Sequence, residues 1–272
     1  MIKCLLCNSK NNKVIFTYKG KDIYLEKLGV KNFKLKWYRC HNCGVYFSRQ
    51  YENIENVYKD NTLYDAQYDR FSIKNRFKKI MELKKGESDN ALRVIRIKRF
   101  HEKYLADFKI HKKIFNLLDV GAGLGVFLAK FLDKQYRGFA LEINSVAAQH
   151  ITEELNIPVY RKPLQALKAN KKFDLITMNR VVEHIKKPKG ILQTAKKRLS
   201  KNGLLYLELP DSVSYEFGGN TCDAFNSGHY MAYNPESVFF LLNLSGFEIL
   251  SLNRIFEPSG KHTIYVFARS KG

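Results

Sequence analysis

The run Leu117-Leu118-Asp119-Val120-Gly121-Ala122-Gly123-Leu124-Gly125 constrains this chain more than any other feature. An apolar strand ends in an acid and enters a glycine-rich turn, and Val126-Phe127-Leu128 then opens a helix. Glycine permits positive φ and a backbone approach that a Cβ would block. A second strand closes with Ala140-Leu141-Glu142, an acid placed to hydrogen-bond the ribose diol of a nucleoside. From Phe115 onward strands and helices alternate, which implies a parallel sheet with helices on both faces and a ligand at the carboxyl ends of the strands. Strands are expected near 115–120, 136–142, 158–161, 173–179 and 203–209, and helices over 124–134, 144–155, 188–200 and 235–245. Two final strands, joined by a turn at Pro258-Ser259-Gly260, form a hairpin, so the last runs antiparallel.

The turn reads G-x-G-x-G rather than the G-x-G-x-x-G of dinucleotide folds. It resembles motif I of the class I S-adenosylmethionine (SAM) methyltransferases. Phe173-Asp174-Leu175-Ile176-Thr177-Met178-Asn179 resembles the fourth strand of that fold, Val182-Glu183-His184-Ile185 the turn after it, and Gly203 to Pro210 the fifth strand. The resemblance covers roughly residues 110 to 270. It implies an α/β, Rossmann-like seven-stranded sheet with a final antiparallel strand, and SAM as cofactor. Asp119, Gly121, Gly123, Glu142 and Asn179 then fall at the carboxyl edge. Gly121 and Gly123 approach the amino-acid part of SAM, Glu142 with Ile143 beside it holds the ribose, and Gln165 in the 161–165 turn lies by the adenine.

Residues 1–50 form a separate unit. Cys4-x2-Cys7 and Cys40-x2-Cys43 bracket segments of strand character, and four thiolates in paired knuckles suit one tetrahedral zinc. A unit this small needs the metal for its folding energy, which makes it zinc-ribbon-like. Residues 51–112 read as helical and charged, with Tyr58, Tyr64 and Tyr68 in the first part and a break at Gly86-Glu87-Ser88-Asp89-Asn90. They are expected to form a lid or linker over the cofactor, mostly a solvated face, before the SAM-binding domain of residues 113–272.

The 47 Lys and Arg outnumber the 26 Asp and Glu, for a net charge of +21, and residues 1–110 carry 25 basic against 12 acidic residues. Such a field favours an anionic partner, although the Lys, Asn and Ile content also fits AT-rich coding. No stretch is long and apolar enough to span a bilayer. The five cysteines read as metal ligands or free thiols, so a cytoplasmic setting without membrane insertion is expected.

Methyl transfer to a hydroxyl benefits from a general base, and histidine titrates in the right range. His41 sits between two cysteines. His101, His111, His150 and His262 are expected away from the sheet's carboxyl edge. His184, beside Glu183, and His229, in the loop after the fifth strand, remain. The order of a cysteine-knuckle domain, a SAM domain, and then the loop from Cys222 through His229 and Tyr233 resembles sugar methyltransferases of deoxysugar and surface-glycan pathways. That resemblance implies His229 as base, with Tyr233 positioning it. In sugar C-methyltransferases of this group a glutamate precedes the histidine, whereas here Gly228 does, and Ser227 replaces another histidine. O-methylation of a sugar or nucleotide-linked, anionic glycan precursor is therefore favoured over C-methylation. An RNA methyltransferase and a zinc-ribbon adaptor with a scaffold domain are the competing readings.

Overall fold

The computed structural model describes residues 2–20, 33–50, 70–168, 170–219, 222–226 and 228–271. The helical reading of residues 51–69, with Tyr58, Tyr64 and Tyr68, lies outside them, as does Ser227. The N-terminal unit contains β1 (Asn12–Gly20), β2 (Phe33–Cys40) and β3 (Tyr46–Gln50) in antiparallel order. Two helices follow, α1 (Arg70–Met81) and α2 (Asp89–Asp107). The expected break lies between them, and Ser88 caps α2 by accepting from the Ala91 N–H at 3.3 Å.

The remaining elements are β4 (Phe115–Val120), α3 (Val126–Phe131), β5 (Tyr136–Leu141), α4 (Ser145–Leu155), β6 (Val159–Tyr160), β7 (Phe173–Asn179), α5 (Pro188–Arg198), β8 (Leu199–Pro210), α6 (Ser214–Gly218), β9 (Met231–Ala232), α7 (Pro235–Leu244), β10 (Phe247–Phe256) and β11 (His262–Ser270). Seven of these strands form one sheet in the order β10-β11-β8-β7-β4-β5-β6, parallel from β8 to β6 and antiparallel through β11 and β10. β4 and β7 are buried almost throughout, and β8 from Gly203 onward, as expected of central strands covered on both faces. β8 starts four residues earlier than the sequence suggests, directly after α5. Gly203 allows this, since a Cβ there would stand 2.9 Å from the Phe173 carbonyl.

Two expectations change. First, α2 is a layer of the core. Val94, Ile97, His101 and Tyr104 pack against Phe115, Leu117, Phe127 and Tyr136. Its arginines turn inward: Arg93 pairs with Glu208, and Arg96 reaches Glu208 at 2.7 Å and the Tyr206 hydroxyl at 3.0 Å. Burial alone would raise Glu208, but these guanidiniums hold it down to about 2. Second, the N-terminal sheet does not close on itself. Its fourth strand is β9, paired antiparallel to β3 through Tyr46–Ala232 and Phe47–Met231. Among the described residues no helix is long and apolar enough to cross a membrane.

Candidate active site

Between β4 and α3 the chain turns through Gly121 (φ 71°), Gly123 (φ 54°) and Gly125 (φ 75°), all in the left-handed region that only glycine adopts freely. A Cβ on Gly121 would lie 2.7 Å from Val181, so packing also demands glycine there. A Cβ on Gly123 would meet nothing within 4 Å, so this glycine faces open space. Glu142, buried just beyond β5, accepts from the Gly123 N–H at 2.8 Å and the Asn144 N–H at 2.9 Å. Burial raises its carboxyl, and those N–H groups oppose the rise. The glycine turn and the second acid are thus one hydrogen-bonded unit. Ile143 beside them is 44% exposed, a large apolar side chain at the mouth of the cradle. Gln165 is exposed in the short helical turn Leu164–Ala166 after β6.

Asp119 lies at the floor. Its Oδ1 accepts from Thr177 Oγ1 at 2.6 Å and Asn179 Nδ2 at 3.0 Å. Burial pushes its carboxyl up to about 7 against these donors. Asn179 Oδ1 is buried and has no partner among the described residues, so the end of β7 presents an unused acceptor beside a carboxylate. This set of an open glycine turn, an acid floor and an unsatisfied amide oxygen fits an amino-acid-bearing nucleoside such as SAM.

One strand along the same edge, the turn Val182–His184 meets the loop after β8. The His184 and His229 rings lie 4.7 Å apart at 73°. His184 Nδ1 contacts the Gly228 carbonyl at 2.8 Å, and His229 Nδ1 contacts that of Ala224 at 3.0 Å, so each Nδ1 is the donor nitrogen. His229 is 4% exposed, and its Nε2 lies 3.1 Å from Asn226 Nδ2. Burial first, and then His184, hold the His229 imidazole neutral to well below the ordinary histidine range. Tyr233, expected beside His229, is fully buried and donates to Met231 Sδ at 3.4 Å; no hydrogen bond joins it to the pair.

The four cysteines converge. Cys4 and Cys43 Sγ are 3.7 Å apart, Cys7 and Cys40 Sγ 3.5 Å. A tetrahedral zinc with Zn–S bonds of about 2.3 Å sets sulfurs about 3.8 Å apart. The two knuckles repeat one turn. The Cys4 and Cys40 N–H groups donate to Ser9 and Val45, and the Asn8 and Gly44 N–H groups, both at positive φ, donate back to Cys4 and Cys40. The Cys43 thiol facing Cys4 pulls Cys4 down to about 5, and the same contact with burial pushes Cys43 up. Four sulfurs this close suit a cation, and the residues fit zinc. The unit also holds the histidine loop: Ser48 Oγ donates to the His229 carbonyl at 2.8 Å, and the Ser48 N–H to that of Tyr230 at 2.9 Å. Trp37 and Leu35 pack on Phe225, Ala224 and Ala232 from that loop.

Some site residues escape sequence reasoning. Arg180 has φ 57°, a conformation rare for a bulky side chain, at the end of β7. Its guanidinium pairs with Asp223 and lies 3.8 Å from Glu183. No composition signal marks it. His262 is a correction: β11 runs antiparallel, so its first residue lies at the carboxyl end of β8, where the Asp211 N–H donates to the His262 carbonyl at 3.1 Å. The exposed rings of Phe217 and Phe256 flank it. The direction of the last strand, legible in the hairpin, was the available signal.

Solved structures share the fold. A glycopeptide N-methyltransferase, MtfA, complexed with sinefungin is 16% identical, with a TM-score of 0.50 over 68% of this chain and 94% of its own. A SAM-dependent methyltransferase from Clostridium acetobutylicum is 14% identical, with a TM-score of 0.50 over 81% of this chain and 100% of its own. The didemethyltoxoflavin N-methyltransferase of Burkholderia thailandensis is 18% identical, covering 63% of this chain and 76% of its own at a TM-score of 0.49. At these identities the two matches with a TM-score of 0.50 establish the fold alone. No curated protein sequence matches. The family model described as a methyltransferase domain (Methyltransf_23) spans residues 60–252, and with the glycine turn, the acids and the strand order already described, the chain belongs to the class I SAM-dependent methyltransferases.

Proposed function

We propose that this enzyme O-methylates a sugar or a nucleotide-linked glycan precursor. Asp119, Gly121, Gly123, Glu142, Ile143, Gln165 and Asn179 seat SAM, and Cys4, Cys7, Cys40 and Cys43 hold a structural zinc. The observation that carries the reading is the His184–His229 pair on the turn and loop at the same sheet edge as the cradle, one strand away from Asp119. SAM supplies an electrophilic methyl on a sulfonium. The chain must align the acceptor oxygen with that methyl, exclude water and handle the hydroxyl proton. Both imidazole Nδ1 groups are fixed to backbone carbonyls, which leaves each Nε2 as the acceptor nitrogen; that of His229 is held by Asn226 Nδ2 until an acceptor displaces it. Their simplest role is to take the proton as a general base.

The inward pairing of Arg93 and Arg96 with Glu208 removes two cations that a phosphate-tracking surface would use, which favours a small acceptor over RNA. Incubation with methyl-labelled SAM and a panel of nucleotide sugars, sugar phosphates and RNA oligonucleotides tests the reading. Label on a sugar hydroxyl is the expected result. Label on RNA alone rejects it.

A further inference from the structure

We propose that Glu183, His184 and His229 form a second metal site, separate from the cysteine cluster, that takes one first-row divalent cation. One potential ligand atom from each side chain lies within 4.8 Å of the others. The strongest indication is Glu183, which is completely buried, with neither carboxylate oxygen hydrogen-bonded among the described residues. The nearest positive group, Arg180 Nε, stands 3.8 Å away, and its guanidinium is committed to Asp223. A buried carboxylate left this way costs several kcal/mol unless it is neutralised or binds a cation.

The imidazoles point to the cation. Both Nδ1 atoms are anchored on backbone carbonyls, which fixes the tautomer with Nε2 as the coordinating nitrogen, the usual orientation of metal-bound histidine. Asn226 Nδ2 donates to His229 Nε2, while its Oδ1 accepts from the Gly228 N–H at 2.8 Å. Coordination would replace the first contact and leave the second. Metal bonds of about 2.0–2.2 Å place ligand atoms roughly 3–4 Å apart, so the three side chains must draw together to seat the ion. Two imidazoles and one carboxylate suit Mn²⁺, Fe²⁺, Co²⁺ or Zn²⁺ and leave coordination positions open.

The site's use rests on the proposed reading of this edge as the acceptor side. An open position would take the acceptor oxygen and lower the hydroxyl's pKa. The hydroxyl proton leaves to solvent, an oxygen lone pair forms the new C–O bond, and the C–S pair departs with the sulfur. With the ion seated the two imidazoles are its ligands; in the ion-free chain they keep the role of base.

The test uses the full chain with zinc in its cysteine cluster. It is titrated with Mn²⁺ and followed by loss of the free-Mn²⁺ paramagnetic resonance signal, without acceptor or turnover. One Mn²⁺ per chain is expected, with affinity lowered at least tenfold by Glu183→Gln and by the partly exposed His184→Ala while the zinc content is unchanged. Absence of saturable binding in the wild type, or wild-type affinity in either variant, overturns the site. Mn²⁺ binding without methylation of any sugar refutes the acceptor reading and leaves the metal site standing. Sugar methylation by a chain that binds no second ion does the reverse.

Discussion

The two halves of the sheet's carboxyl edge are built in contrasting ways. At the β4–β5 end the groups that shape the cradle sit on the sheet's own strand ends, and both carboxylates find donors there: Glu142 accepts from Gly123 and Asn144, and Asp119 from Thr177 and Asn179. At the β7–β8 end three distant segments meet, residues 183–184, the 222–232 loop and β3, and Glu183 is left without a hydrogen-bond partner among the described residues. In the first half only the Asn179 amide oxygen is left for a ligand to satisfy, and the glycine turn is already held by Glu142, so binding energy is not spent on ordering it. The second depends on the N-terminal unit for its shape.

Breaking that dependence should give the largest effect. Cys43→Ser, or chelation of the proposed zinc, should release β3 from β9 and displace His229. Turnover should fall at least ~10²-fold, since misplacing a catalytic group by about 1 Å has that effect. SAM affinity by calorimetry should stay within about threefold. Equal loss of both would show the two halves to be one unit.

The cradle has its own test. Glu142→Ala should weaken SAM by roughly 1–3 kcal/mol, the cost of stranding its hydrogen-bonded partners. The glycines sharpen the point. Gly121→Ala brings a Cβ against Val181 and should lower the melting temperature more than Gly123→Ala, which carries only the left-handed strain of about 1–2 kcal/mol. Val181→Ala should recover part of the Gly121→Ala loss. If Gly123→Ala proves the more damaging to stability, the packing account is wrong.

Charge separates the halves as well. Asp119 ionises near 7 in the fold, so its carboxylate is present above that pH and lost below it. If SAM is seated as proposed, with its amino-acid end at Asp119, loss of that carboxylate should make the dissociation constant rise as pH falls below 7, by up to about tenfold per pH unit. His229, held well below its ordinary range, stays neutral there and adds no step. Calorimetric titrations from pH 6 to 8 decide this; a flat affinity removes Asp119 from the cofactor's charged end. The smallest effect belongs to Ser48→Ala, which deletes one bond to the His229 carbonyl. It should cost about 1 kcal/mol and lower turnover several-fold with SAM affinity unchanged.

The cradle was legible because its signals are local: glycines that need positive φ, an acid at each strand tip, and apolar runs that only a covered parallel sheet tolerates. The cysteine pairs were legible because paired thiols at that spacing have few other uses. The histidine half was only partly so. His184 and His229 could be singled out, yet their contact, Tyr233's burial and the turning inward of Arg93 and Arg96 depend on tertiary packing. β3 and β9 were missed for a related reason. β9 has two residues, too few for any alternation to show, and exists as a strand only because β3 lies beside it.

The pairing of β3 with β9 also orders events on the ribosome. The strands are separated by about 180 residues, and at roughly 5–20 residues per second the second emerges about 10–40 s after the first. Through that interval β3 is an unpaired edge carrying Tyr46 and Phe47, open to any other extended segment. Capture of the proposed zinc by the two cysteine knuckles needs only residues 4–43 and can come early, whereas closure of the sheet waits for the loop that carries His229. Nascent chains halted between those points should therefore be the species most prone to associate with one another.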